Sequence, residues 1–117
     1  MESRAAITSL GALANEGRLA IFRLLVKVGP EGMAAGHIGR ALATPPSTMS
    51  ASFKVLNQAG LVTSRRVSRS IIYSANYDGM TELLSFLMED CCAGNPQICA
   101  PLAAIASQCR PAESSRA

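Results

Sequence analysis

Cys91, Cys92 and Cys99 are the residues of this chain whose type and spacing could do chemistry. They lie in the stretch MEDCCAGNPQIC, where two adjacent thiols are followed by a third after six residues. The intervening Gly94, Asn95 and Pro96 read as a turn that folds Cys99 back toward the pair. Adjacent cysteines make a strained disulfide, so Cys91 and Cys92 are poor partners for each other. Three thiolates converging on one point suit a soft, thiophilic ion. A three-coordinate, pyramidal site fits As(III) or Sb(III), which bind three sulfurs and keep a lone pair. Zn(II) prefers four ligands, and the only histidine, His37, lies far away in sequence. Cys109 as a fourth ligand leaves Cd(II), Pb(II) or Zn(II) open. Two further readings stand beside these: buried structural thiols, and a redox switch pairing Cys92 with Cys99 or using Cys109.

A second group of residues could recognise a polar surface. Residues 45–62, PPSTMSASFKVLNQAGLV, read as one exposed helix running into a hairpin. A proline pair opens the helix and Gly60 closes it. Met49, Phe53 and Leu56 recur at helical spacing and form one apolar stripe. The opposite face carries Ser47, Thr48, Ser50, Ala51 and Ser52, which are small, uncharged and rich in hydroxyls. Such a face fits the DNA major groove, the hydroxyls bonding phosphates or base edges and Ala51 touching a thymine methyl. Lys54 is expected to reach a phosphate. Arg65, Arg66 and Arg69 are expected on the backbone or in the minor groove. Lys54 and these arginines fall within sixteen residues free of Asp and Glu, a sign asymmetry that a DNA face requires.

The elements that must position these groups follow from periodicity. Residues 2–14 read as a helix with Ile7, Leu10 and Leu13 or Ala14 on one face. Asn15 caps a second helix, residues 16–28, with Leu19, Phe22, Leu25 and Val26 toward the core and Arg18 and Arg23 outward. A third helix is expected at about residues 34–43, with Ile38 and Leu42 one turn apart. Thr44, Pro45 and Pro46 make the tight turn into the exposed helix, which is a helix-turn-helix arrangement. Residues 61–66 and 70–73 read as strands with Val67, Ser68 and Arg69 at the tip, forming a wing. Asp78 is expected to cap a fifth helix to about Asp90, striped by Met80, Leu83, Leu84, Leu87 and Met88. Residues 101–109 suggest one more short helix, and residues 110–117 a disordered tail. The fold class is therefore mainly α with a small β-hairpin: a winged helix-turn-helix domain over residues 1–109, with a cysteine segment at residues 91–99.

Composition bounds the rest. A chain of 117 residues, 49% of them apolar, is one domain with a real core, filled by aliphatic residues because there is no Trp. A domain this small gains stability by dimerising. The net charge of +3 is mildly basic. Apolar runs are short and broken by Arg or Lys, which excludes a membrane helix. The start, Arg4 followed by AAITSLGALA, has the outline of a signal peptide, but Thr8, Ser9 and Gly11 break it. The chain is read as cytosolic, with reduced thiols. With one histidine there is no plausible Cys-His or Ser-His-Asp set, and neither a phosphate loop nor a CxxC pair occurs, so the chain is not read as an enzyme.

Three segments resemble one family. LANEGRLAIFRLL (residues 13–25), IGRALATPPSTMSASFKVLNQAGLV (residues 38–62) and RRVSRSIIY (residues 65–73) are similar to the second helix, the helix-turn-helix and the wing of the ArsR/SmtB repressors. The resemblance implies a homodimer joined through the first and fifth helices, here through Ile7, Leu10, Met80, Leu83, Leu84 and Leu87. It implies repression from a pseudo-palindromic operator and release when a metal or metalloid binds. The Cys-x-Cys beside the third helix, common in the family, is replaced by a region with Ala35 and Gly36. Some arsenic-responsive members carry their cysteines after the fifth helix, and this sequence resembles them. The expected activity is an arsenite- or antimonite-responsive repressor. The alternatives are a thiol-redox or other thiophilic-metal sensor and, from another class, a metal-carrying protein.

Overall fold

The computed structural model describes residues 1–89. In order these are α1 (Ser3–Leu13), α2 (Glu16–Val28), β1 (Met33–Ala34), α3 (Ala35–Ala41), α4 (Pro46–Gln58), β2 (Val62–Val67), β3 (Ser70–Ala75) and α5 (Tyr77–Met88). Met1–Phe86 form one compact unit, and the residues from Leu87 onward belong to a second, of which residues 87–89 are described. The architecture is mainly helical with a small antiparallel sheet in the order β1-β3-β2.

The core forms where α2, α3, α4 and the start of the hairpin meet. Ile21, Leu25, Ile38, Leu56 and Leu61 are fully buried there, with Phe22, Met49 and Phe53 around them. The apolar stripe of α4 is thus internal, as its spacing predicts. Leu19 is exposed, and Ile21 takes the core position in its place. Counted back from Leu25, Ile21 is one full turn away and Leu19 is not, so the actual stripe sits one residue round from the expected one.

α1 differs more. Its buried face is Ala6, Ser9 and Ala12, while Ile7 and Leu10 are exposed. Small side chains let α1 pack against α2 and α4, and the Ser9 hydroxyl donates to the Ala59 carbonyl at 3.3 Å. Arg18 does not point outward. It folds back over the end of α1, where Nε donates to the Ala12 carbonyl at 2.6 Å and Nη2 to the Gly11 carbonyl at 3.3 Å. A guanidinium on the last carbonyls of a helix satisfies orphan acceptors and complements the negative end of the dipole.

Helix ends follow their caps. The Asn15 side chain accepts from the Arg18 amide at 3.0 Å, as expected. α4 ends in a Schellman motif. Gly60, at φ +76°, donates to the Asn57 carbonyl, and Leu61 donates to the Leu56 carbonyl. α5 is capped by Asn76 rather than by Asp78. The Asn76 Oδ1 accepts from the Gly79 amide at 3.2 Å, and Asp78 sits in the first turn. α3 starts one residue later than expected because Met33 and Ala34 pair with Tyr73 and Ile72 as a third strand, and it ends at Ala41 with Leu42 as its C-cap. Two residues give too short a run for any alternation to show in sequence.

Candidate nucleic-acid interface

α4 presents the expected hydroxyl face. Ser47, Thr48, Ser50, Ala51 and Lys54 are exposed, and Ser52 is half-buried. With Met49, Phe53 and Leu56 turned inward, Ser47, Ala51 and Lys54 form the outward crest at helical spacing. Ser50 flanks one side, lining a groove with α3 and β3. Thr48 and Ser52 flank the other, where they and Ala51 line a hollow with Asn15, Gly17 and Arg18 at the start of α2.

The helix opens without a side-chain cap. Pro45 occupies the N-cap and Pro46 the first turn, and no acid stands there. Pro46 has no amide hydrogen, so the amides of Ser47 and Thr48 are left at the positive end of the dipole. A phosphate is the natural acceptor for such groups.

The wing is built by a tight turn. Ser68 adopts φ 57° between Val67 and Ser70, which face each other across the hairpin. The register sorts the arginines onto different sides. Val62 lies opposite Ala75, Ser64 opposite Tyr73 and Arg66 opposite Ile71, so these pairs share one face. That face looks toward α4, because the Tyr73 ring stacks on Phe53 with centroids 3.8 Å apart and planes 8° from parallel. Arg66 is therefore on the recognition-helix side. Arg65 lies on the other face, where its Nη2 donates to the Glu31 carbonyl at 3.1 Å. Arg69 is exposed at the tip. Sequence reasoning grouped all three arginines, and only the strand register separates Arg65 from Arg66.

Met80 is half-buried beside the core and Leu83 is buried, whereas Ile7, Leu10, Leu84 and Leu87 are exposed. His37 is exposed on α3. Cys91, Cys92, Cys99 and Cys109, the short helix expected at residues 101–109 and the tail at residues 110–117 lie outside the described residues. Among the described residues no cluster of His, Cys, Asp and Glu could hold a metal ion, and no helix is long and apolar enough to cross a membrane.

A helix-turn-helix domain family matches residues 13–65. The chain is 36% identical over 78 residues to the uncharacterized HTH-type transcriptional regulator YceK of Bacillus subtilis, covering 67% of this chain and 77% of that one. This chain belongs to the ArsR family of winged helix-turn-helix transcriptional regulators. It is similar to the crystal structure of NolR from Sinorhizobium fredii, at 33% identity and TM-score 0.60, covering 74% of this chain and 84% of that chain. It is also similar to the homodimeric DNA-binding domain Mb0332 from Mycobacterium bovis, described as a possible ArsR-family regulator. That match has 28% identity and TM-score 0.61, over 74% of this chain and 81% of that chain. The family accounts for α4, the wing and the absence of an enzyme signature in the sequence: its members are DNA-binding regulators.

Proposed function

We propose that this ArsR-family regulator is an arsenite- or antimonite-responsive repressor. It binds operator DNA as a homodimer in the cytosol and leaves it when As(III) or Sb(III) engages Cys91, Cys92 and Cys99. The observation that carries the reading is the donor set itself. Three soft thiols and no histidine follow directly on α5 in the chain. Such a set favours a thiophilic, three-coordinate ligand over zinc. A further similarity supports it: a protein described as a possible transcriptional regulator for arsenical resistance matches at 25% identity and TM-score 0.60, over 68% of this chain and 79% of that chain.

On DNA, the crest of α4 enters the major groove and the wing reaches the adjacent backbone or minor groove. No arginine stands on α4, and Asn57 and Gln58 lie at its far end. Bidentate base contacts from the first turns are therefore missing, and specificity rests on two spaced half-sites and on DNA shape. Ile7 and Leu10 on α1 with Leu84 and Leu87 on α5 supply the apolar surface for the partner copy. Drawing Cys99 onto Cys91 and Cys92 restructures the end of α5. That alters the dimer geometry and the spacing of the two recognition helices. A coupling of about 1–3 kcal/mol, or 5–150-fold in affinity, is typical of such a link.

One observation favours a second reading, a thiol-redox sensor. HlyU from Vibrio cholerae, 30% identical with TM-score 0.59 over 73% of this chain and 90% of that chain, is described in a reduced form. The deciding experiment is fluorescence anisotropy of the reduced protein on a duplex from its own promoter, titrated with arsenite. Separate arms use zinc, cadmium and an oxidant. Release by arsenite that is lost in Cys92→Ser supports the repressor reading. Binding that ignores arsenite and yields to the oxidant moves the assignment to the redox sensor.

A further inference from the structure

A groove of about 520 Å³ lies between α3, the N-terminal half of α4 and β3. It is apolar at its base, where Met49 and the stacked rings of Phe53 and Tyr73 meet, and Ile71 of the hairpin forms one wall. Among the described residues, Arg40 is the only charged side chain in its lining, and no acid shares it. The opening exists because α3 keeps side chains out of it. Gly36 and Gly39 of α3 line it, together with Ala43 just beyond the helix. Gly39 stands inside α3, where Gly costs up to ~1 kcal/mol relative to Ala, and Gly36 stands in its first turn. Packing accounts for Gly39, whose Cβ would lie 3.3 Å from the Thr44 carbonyl. It does not account for Gly36, whose Cβ would meet only the Arg40 guanidinium, at an ordinary 3.5 Å. What a side chain at Gly36 would take away is the space beside Arg40.

The geometry points to this groove as a binding site for a small organic anion, a carboxylate with an apolar or aromatic body. Its carboxylate sits on Arg40 and its body lies against Ile71 and Tyr73. The volume falls in the ~300–1,000 Å³ range of small-molecule pockets, and an apolar lining with one convergent charged group is their usual chemistry. Guanidinium and carboxylate match in charge and in fork geometry. A DNA phosphate is the competing occupant, because Arg40 and Ser50 are exposed beside the start of α4, and the apolar lining is what favours an anion with an apolar body. Its lining residues all fall between Ala35 and Tyr73 in the chain, so it would give the DNA-reading head an effector input of its own, between the recognition helix and the wing.

The test uses amide correlation spectra of the reduced, DNA-free full chain, titrated with benzoate and, separately, with neutral benzyl alcohol. Saturable shifts at Gly36, Gly39, Ser50 and Ile71 are expected with benzoate. Benzoate affinity should fall about fivefold in Arg40→Gln, ~1 kcal/mol, and be lost in Gly36→Leu, which fills the groove. Absent shifts, equal response to benzyl alcohol, or shifts that survive Arg40→Gln unchanged would each overturn the assignment. If Arg40→Gln lowers DNA affinity while the wild type ignores benzoate, the groove belongs to the DNA backbone and the proposal falls. The first measurement contains neither DNA nor arsenite, so its failure is distinct from failure of the repressor reading.

Discussion

Replacing Asn76 with alanine removes two interactions from one joint. Its Oδ1 caps α5 through the Gly79 amide at 3.2 Å, and its Nδ2 donates to the Gly60 carbonyl at 2.9 Å in a partly buried setting. Loss of an N-cap costs about 1 kcal/mol. Stripping a partner from a partly buried carbonyl costs about 1 kcal/mol more. Asn76→Ala should therefore destabilise the protein by about 2 kcal/mol. Asn76→Ser keeps a capping oxygen and loses only the second bond, so about half the effect remains. Asp78→Ala removes only a first-turn carboxylate, worth about 0.3–1 kcal/mol through the helix dipole. Urea unfolding followed by far-ultraviolet circular dichroism, at one fixed protein concentration because dimerisation adds to apparent stability, separates the three. With a slope near ~1.3 kcal/mol/M, the Asn76→Ala midpoint falls by roughly 1.5 M at unchanged slope. Equal losses for alanine and serine would refute the two-bond account. A larger loss for Asp78→Ala than for Asn76→Ala would refute the cap assignment.

Three further outcomes are expected. Gly79→Ala would set a Cβ 2.4 Å from the Gly60 carbonyl oxygen, an overpacked contact costing about 1–3 kcal/mol, read as a lower urea midpoint. Arg66→Ala should weaken DNA binding at every sequence tested and lower the salt slope by about one, whereas Arg65→Ala, on the opposite face, should change it much less; anisotropy at several salt concentrations compares them. Leu84→Glu puts a charge on the exposed apolar strip of α5, where Leu84 is 48% accessible. It should shift the protein from dimer to monomer in sedimentation or light scattering, with little change in helix content.

Much of this fold is legible in the sequence because several signals agree at the same places. Asn15 and the hydrophobic stripe of α2 agree, as do Gly60 and the change of period after α4. The misreadings share one physical source. Ala6, Ser9 and Ala12 are buried through close approach of backbones, and small residues give no hydropathy signal of such burial, whereas Ile7 and Leu10 lie on the exposed face of α1. Arg18 looks like a solvated helix residue, yet it is recruited by carbonyls six and seven positions back in the chain. Asn76 competes with Asp78 for the same cap, and what favours it is Gly60, sixteen residues earlier. The exposed polar face of α4 is legible as a group because the helix is amphipathic. How the neighbouring wing arginines divide is a separate matter, since the side of each depends on strand register, and a shift of one residue would reverse it.

The joint around Asn76 also bears on signalling. The Asn76 amide donates to the Leu61 carbonyl at 2.8 Å, its side chain holds Gly60, and Gly79 packs on the same carbonyl. Gly60 and Leu61 are the residues that terminate α4. The start of α5 is thus hydrogen-bonded to the end of the recognition helix, and further contact comes from Tyr77, whose hydroxyl donates to the Val26 carbonyl at 3.1 Å. In the repressor proposed above, a rearrangement of α5 driven from the cysteine segment would have two routes to the DNA. One runs through this joint within a protomer, and the other runs across the dimer through the exposed strips of α1 and α5. Asn76→Ser distinguishes them, because it weakens the joint and leaves the strips intact. If the joint carries the coupling, the ratio of operator affinities without and with arsenite falls several-fold in Asn76→Ser, while arsenite affinity of the DNA-free protein stays near the wild type. An unchanged ratio rules out the intra-protomer route and leaves the dimer interface as the element whose two arrangements both ligands must bias.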